Sequence, residues 1–457
     1  MRRDTRAHTT TTGRTRAVVA GLGFALLACS STAQAGPPSP GPLPTPAGAA
    51  TEASLGEKAT LSDLVNIAYR SNPMIRAARA EWQGTVEKFR VDTAWADPEL
   101  MAEGMYAADT LGDTAKPMDW TVGLSQPIPL WGRQGSAGRL STAEAKIAKL
   151  KLDAAIRDVV LQIRQSAAEL GYLAAAVEIV RGQQSLLGKL TAAGAAAYTA
   201  DRASLYDVTK ARAQSGQLDY DALLLEESAR TEKARLNALL DRTPDAPIGQ
   251  IAAETAHPLA YDIPEIDALA EANAEDVRIA RAAVERSEAM LDLTGYETLP
   301  GFKLGVTYGR KSDVNQLGIQ ATVMLPLRPG KNAGRIGAAR ADSDRMRAMY
   351  GAAVNDARTA IRELAFRLRN AERLAMLYRD DLVPQAGRAV EMAQTRLAQG
   401  LGGLGDAAEA QSAWYQFRLA LARAEADRAV LLARLEALAG QSLTARDARA
   451  GGPGAAK

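Results

Sequence analysis

Residues 118–138, MDWTVGLSQPIPLWGRQGSAG, change over one short stretch from the two-residue period of a β-strand to the start of a long helix. The apolar positions of the strand alternate with small or polar ones, and they are Trp120, Val122, Leu124 and Ile128. The residues that end the strand are Pro127, Pro129 and Gly132. Proline removes backbone donors and glycine loosens the chain, so the stretch predicts a strand joined directly to a helix.

The same pattern occurs a second time in residues 316–340, QLGIQATVMLPLRPGKNAGRIGAAR. Its alternating apolar positions are Leu317, Ile319, Ala321, Val323 and Leu325. The breaking residues that follow are Pro326, Pro329 and Gly330, after which another helical run begins. Two copies of one strand–helix junction indicate an internal repeat.

The length and charge of the chain limit the classes of function. With 457 residues, length alone suggests about three domains, whereas the repeat argues for two halves. The sequence has 55 Lys plus Arg against 53 Asp plus Glu. A chain so close to neutral lacks the basic surface that nucleic-acid binding needs, and we expect no nucleic-acid partner.

The N-terminus predicts export from the cytoplasm. In residues 1–28, five Arg precede an apolar run that is too short to span a bilayer, which is typical of a signal peptide. Two maturation sites fit. Leu26-Leu27-Ala28-Cys29 resembles a lipobox and would leave Cys29 lipidated, while cleavage after Ala35 would remove Cys29, which could then merely end the apolar run. We favour the lipid anchor, because residues 29–57 contain a Pro-rich tether.

Helical and strand patterns alternate along the first half. An amphipathic helix interrupted at Asn72-Pro73 is expected first, and a loop over 109–117 separates the two strands that follow it. The later elements of this half are a strand over 100–108, the strand at 118–128, a helix over 136–195 and a return helix from Ser204 to about Leu240. The 136–195 helix would be on the order of 90 Å long. Ser204-x-x-Asp207 has the form of a helix capping box.

The second half repeats this order. A strand follows Pro300, and its apolar positions are Phe302, Leu304, Val306 and Tyr308. One helix is expected over 333–397, a break over 399–403 and a return helix from Asp406 to near Ala439. Equivalent positions such as Asp207 and Asp406 lie about 199 residues apart. The predicted domains are a first repeat over 58–242, a linker over 243–262, a second repeat over 263–443 and a disordered tail over 444–457.

Four strands cannot close a barrel, because the smallest closed barrels need about eight. Strands that crossed a membrane in this protein would therefore have to be pooled by several chains, since an open sheet leaves two unsatisfied edges. Aromatic residues for an interfacial girdle are Tyr106, Trp120, Trp131, Phe302 and Tyr308. A soluble sheet with one face on a helical core would alternate in the same way. The signal peptide and the very long helices favour the barrel.

Several short motifs occur in an order that resembles the TolC-like outer-membrane efflux protein family, and its heavy-metal cation branch in particular. They are Ala-x-x-x-Asn-Pro at 68–73, Asp-Pro-Glu-Leu at 97–100, Ser-Gln-Pro-Ile-Pro-x-x-Gly-Arg at 125–133, Asp207-Val208 and Leu-Asn-x-Leu-Leu at 236–240. The resemblance covers residues 58–443. It implies a mainly α fold with a four-stranded β segment per chain. Three chains would form a 12-stranded outer-membrane barrel and a periplasmic α-helical coiled-coil tunnel.

The resemblance also implies the partners and the location. These are a homotrimer in outer-membrane lipid, a periplasmic adaptor protein and an inner-membrane, proton-driven RND-type pump. The protein would be the passive exit duct for small solutes, with heavy-metal cations among the candidate cargoes. Two residues depart from the family pattern at the first tip, where Asp201 replaces a Gly and Arg212 replaces a Gln. Adaptor docking is thus less certain at the first tip than at the second, where Gly400 is retained.

The turns between the long helices are the predicted functional sites. Their residues would lie at the periplasmic mouth, where rings of acids can select cations. They are Asp201, Arg202, Asp207, Gly400, Gly402, Gly403 and Asp406. Asp207 and Asp406 also stand where helix capping is expected, and both roles can coexist.

No catalytic or cofactor site is predicted. His8 falls in the leader, which leaves His257 alone in a Pro-flanked linker, and Cys29 is the only cysteine. No nucleophile with a base and no metal-ligand pair is present, so we expect neither an enzyme nor a metal site. The alternative functions are the outer channel of a type I protein-secretion system and a periplasmic coiled-coil scaffold without a pore.

Overall fold

The computed structural model describes residues 58–105, 119–199, 204–251, 259–311 and 314–444. The first half contains β1 (Lys58–Ala59), α1 (Leu61–Ser71), α2 (Pro73–Thr93), β2 (Glu99–Met105), β3 (Asp119–Ile128), α3 (Arg133–Thr199) and α4 (Leu205–Leu239). The second half contains β4 (Gln250–Ile251), α5 (Ile263–Asn273), α6 (Glu275–Glu297), β5 (Gly301–Lys311), β6 (Val314–Met324), α7 (Pro329–Met376), a π-helical segment (Leu377–Leu382), α8 (Val383–Ala398) and α9 (Leu404–Ala439). The expected mainly helical fold with a four-stranded sheet is confirmed.

Asn72 separates α1 from α2, as the Asn-Pro pair predicted. Its side-chain oxygen accepts hydrogen bonds from the backbone N–H groups of Met74 and Ile75, and Pro73 opens α2. Proline is well tolerated there, because the first turn of a helix has no partner for its N–H groups. The Asn72 amide also donates to the carbonyl of Leu239 at 2.9 Å, which ties this corner to the end of α4.

The two halves have corresponding cores. In the first, Leu64, Ile163 and Leu236 are fully buried between α1, α3 and α4. In the second, Ile266, Ile361 and Leu435 play the same part between α5, α7 and α9. The return helices also end alike, since Asp241 and Gly440 both have positive φ, at 56° and 73°. Only Gly, Asn and Asp adopt this left-handed conformation readily, so each residue suits a helix end.

The prediction of one continuous α-helix over 333–397 was wrong in one respect, because the π-helical segment Leu377–Leu382 interrupts this helix. Buried residues such as Ile163 and Ile361 lie 198 positions apart before this segment. After it the interval is 199, as for Leu187 and Ala386. A π turn holds one more residue than an α turn. The segment therefore accommodates a one-residue insertion in the second half.

The four long strands form one antiparallel sheet in the order β2-β3-β5-β6. β2 begins at Glu99, one residue before the predicted strand over 100–108, and the last three residues of that prediction lie outside the described ranges. Its pairing with β3 begins at Glu99 and Ser125, so Pro127 lies beyond the end of β2. That explains why proline is tolerated in an inner strand, since the missing donor faces no partner there.

The helices form a layer with α3 and α9 at its centre. α4 packs on α3, α8 packs on α9, and α7 packs on α6 and α9. α3 runs from Arg133 to Thr199 and so starts three residues before the expected Ser136. None of the helices in the described ranges combines the length and the apolar character that a membrane-spanning helix needs.

Candidate functional site: the sheet and the helical tips

The strand register sorts the side chains of the sheet by polarity, as the alternating sequence predicted. Residues that lie directly opposite one another in an antiparallel sheet share a face. On one face Leu124 pairs with Val306, and Val306 pairs with Ile319. On the other face Ser125 pairs with Gly305, and Gly305 pairs with Gln320. One face is therefore apolar across the inner rows of the sheet, and the other is mostly small or polar, with Met101, opposite Gly123, as an exception.

Burial on the two faces is the reverse of that in a soluble protein. On the apolar face Ile319 is 88% exposed and Leu100 is 75% exposed. On the polar face Gly123 and Gly309 are buried, and Thr322 is partly buried. A soluble sheet covers its apolar face with helices, but these apolar side chains remain open. The alternative of a sheet on a helical core does not agree with this arrangement.

Crowding on the polar face shows which way the sheet curves. A Cβ atom placed on Gly305 would lie 2.8 Å from the carbonyl oxygen of Leu124 and 2.9 Å from the Cβ of Ser125. Real side chains do not approach so closely, so glycine is required where neighbouring strands converge on this face. The polar face is thus the concave one. The exposed apolar face is convex, which is the arrangement of a barrel with a polar interior.

The predicted interface aromatics lie at both ends of the apolar band. Trp120 and Tyr308 form an edge-to-face pair with ring centroids 5.8 Å apart, near the loop end of the sheet. Trp131 is 98% exposed just beyond the helix end of β3. The nine residues from Trp120 to Ile128 are within the roughly 9–11 that a tilted strand needs to cross an outer membrane. Tyr106 lies outside the described residues.

The two strand–helix junctions come together around one cleft of about 770 Å³. Its lining includes residues from both junctions, namely Pro127, Pro129, Pro326, Arg133 and Arg335. Gly132 has φ of 90°, a conformation that favours glycine, and it packs against Tyr296. Pro329 is the first residue of α7. Gly330 has open space around it, so neither backbone conformation nor contact requires glycine there.

The first helical tip is described only in part. Asp201 and Arg202 lie outside the described residues, as does the side chain of Asp207. α4 begins at Leu205, and the hydroxyl of Ser204 accepts a hydrogen bond from the N–H of Tyr206 at 3.1 Å. Ser204 is therefore an N-cap, as its position in the sequence predicted.

The second tip shows why its residues are glycines and an aspartate. Gly400 has φ of 72°, and the N–H groups of Leu401 and Gly402 both donate to the carbonyl of Arg396, which ends α8. The carboxylate of Asp406 accepts a hydrogen bond from the N–H of Gly403 at 3.4 Å and so caps α9. The structure thus gives Asp406 the capping role, which leaves its charge available to the tip.

A contact between the two tips had no clear signal in the sequence. Gly194 of α3 lies directly against Leu404, the first residue of α9, and a Cβ atom on Gly194 would collide with it. Leu404 is buried. Glycine costs a helix about 1 kcal/mol relative to alanine, so a helix interior keeps it where a neighbour approaches closely. Gly194 therefore sets the spacing between the two helical hairpins near their tips.

A charged cluster ties together three helices on the sheet side of the helical layer. Glu144 of α3 bonds with Lys88 of α2 at 2.9 Å and with Arg286 of α6 at 3.0 Å. Burial alone would raise the pKa of Glu144, but the hydrogen bonds from Lys88 and Arg286 lower it on balance. The hydrogen bond to Glu144 likewise raises the pKa of Lys88. The cluster holds α2 and α6 against α3.

Within the described ranges, no group of three His, Cys, Asp or Glu side chains is placed to hold a metal ion. His257 and Cys29 lie outside those ranges.

A four-stranded sheet with an exposed apolar face, joined to helices of up to 67 residues, defines a class of outer-membrane proteins with a long helical extension. A sequence model of the outer membrane efflux protein family matches residues 64–242 and 268–441. The chain belongs to this family. It is an outer-membrane efflux channel with a periplasmic extension, and the family is one of channels rather than enzymes.

Solved structures of low sequence identity have the same fold. VceC of Vibrio cholerae is 19% identical, with a TM-score of 0.71 over 84% of this chain and 96% of its own. CusC is 15% identical, with a TM-score of 0.73 over 84% and 92%. The open state of MtrE from Neisseria gonorrhoeae is 18% identical, with a TM-score of 0.68 over 84% and 89%. No curated protein sequence matches the chain significantly.

Proposed function

We propose that three copies of this chain form one passive exit duct, with a 12-stranded barrel in the outer membrane and a helical tunnel in the periplasm. The observation that carries this proposal is the sheet with its apolar convex face exposed and its polar, glycine-lined face concave. β2 and β6 are open edges. Four strands are too few to close a barrel, whereas three sheets joined edge to edge supply twelve.

The duct works with a periplasmic adaptor and an inner-membrane, proton-driven RND-type pump, which supplies the energy. Its cargo is small solutes, heavy-metal cations among them. Support for these partners comes from family membership and from the long helices, which carry the tips far from the sheet. α3 alone is about 100 Å long at 1.5 Å per residue. A secretion ATPase found as the inner-membrane partner would instead favour the type I system.

The tips form the gate in this proposal, and Asp201, Arg202, Asp207 and Asp406 contribute the charges. Acids related by threefold symmetry would narrow the mouth, and competing contacts offered by the partner proteins would open it. Gly400, Gly402 and Gly403 allow the tight turn that brings Asp406 to the mouth. Cys29 anchors the N-terminus through a lipid.

The decisive experiment measures ion conductance of the purified mature protein in a planar bilayer, with the oligomeric state of the same preparation determined by mass. A trimer with discrete, mostly closed channels is expected. A protein that never inserts, or that stays monomeric in detergent and lipid, would overturn the duct.

Three variants then test the gate. Asp201→Ala and Asp406→Ala should raise the fraction of time that the channel is open. Asp406→Asn keeps an oxygen that can accept the bond from Gly403 but removes the charge. Increased opening in Asp406→Asn assigns the effect to the charge. If Asp406→Asn behaves like the wild type while Asp406→Ala opens more often, Asp406 acts only as a helix cap.

A further inference from the structure

The outer helices of the protomer, α4 and α7, each present one side that the described chain leaves open. α4 packs mainly on α3, with Leu218 and Ala222 buried in that contact. α7 packs on α9 near its C-terminus, where Leu368, Ala371 and Ala375 are buried. The opposite sides of the two helices carry exposed apolar and charged residues instead.

The open side of α4 carries Leu224, Glu227 and Ala234, whose spacing places them on one helical stripe. Leu224 is 53% exposed, and the small side chain of Ala234 leaves room on the helix surface for a larger neighbour.

The open side of α7 and of the first π-helical residue carries Phe366, Arg373 and Leu377, again on one stripe. Phe366 is 66% exposed, which is unusual for so large an apolar side chain.

Contacts of α9 with α7, combined with the internal repeat, place these two stripes at about the same height. Arg428 of α9 pairs with Glu372 of α7 at 3.4 Å, and Arg379 pairs with Glu425 at 2.5 Å. α9 repeats α4 with an interval of 199 residues, so Arg428 and Glu425 correspond to 229 and 226 on α4. Residues 372–379 are therefore level with residues 226–229 to within about one helical turn.

The two stripes complement one another when α4 and α7 run antiparallel at this height. Leu224 then lies opposite Leu377, Glu227 opposite Arg373, and the small Ala234 opposite Phe366. Within the described part of the protomer, Arg373 has no carboxylate within salt-bridge distance, and its guanidinium donates to the carbonyl of Arg369.

Glu227 is available for this pairing. It bonds Arg230 on its own helix at 2.9 Å, and both side chains are more than half exposed. Such a pair contributes little and can be exchanged.

We propose that α4 of one protomer packs against α7 of a second copy of this chain through these three residue pairs, forming the lateral seam of the periplasmic tunnel. The proposal rests on the proposed trimer, whose threefold axis leaves heights unchanged and brings the open side of α4 to the open side of the next α7. Each seam joins two different surfaces, so three seams close a ring.

Disulfide cross-linking of the full-length protein in its membrane tests the seam. Leu224→Cys combined with Leu377→Cys should give covalent dimers and trimers on a non-reducing gel. Either single variant should remain monomeric, because identical positions are far apart around a ring. Glu226→Cys combined with Leu377→Cys is the matched control, since Glu226 lies at the same height but is turned toward Arg181, its partner at 2.7 Å. The unmodified protein controls for Cys29.

A charge exchange gives a second, independent readout. Glu227→Arg and Arg373→Glu should each lower trimer stability about tenfold in dissociation constant, because all three seams lose one exposed ion pair. Combining the two substitutions should recover much of the lost trimer stability.

The outcomes separate the seam from the duct. A conducting trimer in which Leu224→Cys and Leu377→Cys do not cross-link, or in which the charge exchange gives no rescue, overturns the seam and leaves the duct intact. A protein that forms no trimer at all overturns both. Cross-linking in the Glu226→Cys control would also overturn the seam, because it would show contact without the proposed face.

Discussion

Substituting Ile319 with arginine tests which face of the sheet meets lipid. Ile319 lies on the apolar face of β6, opposite Val306 and between the aromatic ends of the band. Because it is 88% exposed in the protomer, the fold of the chain alone gives the substitution no steric cost. In a soluble protein such a surface change would alter stability by no more than about 0.5 kcal/mol.

In lipid the expectation is different. Arginine on the lipid face costs about 2–4 kcal/mol near the middle of an outer-membrane barrel, and this cost falls to about 0–1 kcal/mol near the interfaces. A trimer carries three copies, so the cost is about 6–12 kcal/mol for the assembled barrel. Gln320→Arg is the matched control, because Gln320 is the next residue on β6 and belongs to the concave polar face.

The assay is insertion into liposomes, followed by the heat-induced shift of the folded trimer on a gel. Ile319→Arg should strongly reduce the folded, inserted fraction, while Gln320→Arg should leave it near the level of the unmodified protein. Equal effects of the two substitutions, or a larger effect at Gln320, would refute the assignment of the apolar face to lipid.

The other predictions concern packing and charge. Gly305→Val should prevent barrel formation while leaving the helical circular-dichroism signal in place, because the new side chain would collide with a neighbouring strand; a normal barrel would contradict the crowded concave face. Gly194→Leu should push the two tips apart and raise channel conductance, whereas Gly188→Ala, which has open space around it, should not. Glu144 has a folded pKa below its usual value, so its stabilisation is present at neutral pH and lost as the pH falls below about 4.5. Glu144→Gln should therefore flatten the acid side of the stability profile measured by thermal unfolding.

Local patterns predicted most of the fold. The strands of the sheet could be predicted because their two-residue period is a local pattern, as in the apolar positions Trp120 and Val122. The corner at Asn72 was recognised because an Asn-Pro pair both caps one helix and starts the next. The register and order of the strands require long-range pairing, and the repeat supplied only part of that information.

Three features lay beyond the sequence for physical reasons. The π-helical segment results from a single inserted residue, which barely disturbs the pattern of an Ala-rich and Arg-rich helix. The contact of Gly194 with Leu404 joins residues far apart in the chain, and one glycine in a helix does not reveal its neighbour. The cluster at Glu144 joins three helices, and the sequence alone does not show which helices pack against one another.

The two open edges of the sheet have a consequence for how the channel is made. In the proposed trimer, a lone chain brings four strands whose outer hydrogen-bonding groups stay unsatisfied until two more chains arrive. Membrane insertion and subunit association then become a single kinetic event, with a rate that rises steeply with the concentration of newly exported chains. Cells that make little of the protein should accumulate unassembled chains in the periplasm, where proteases and chaperones compete for them.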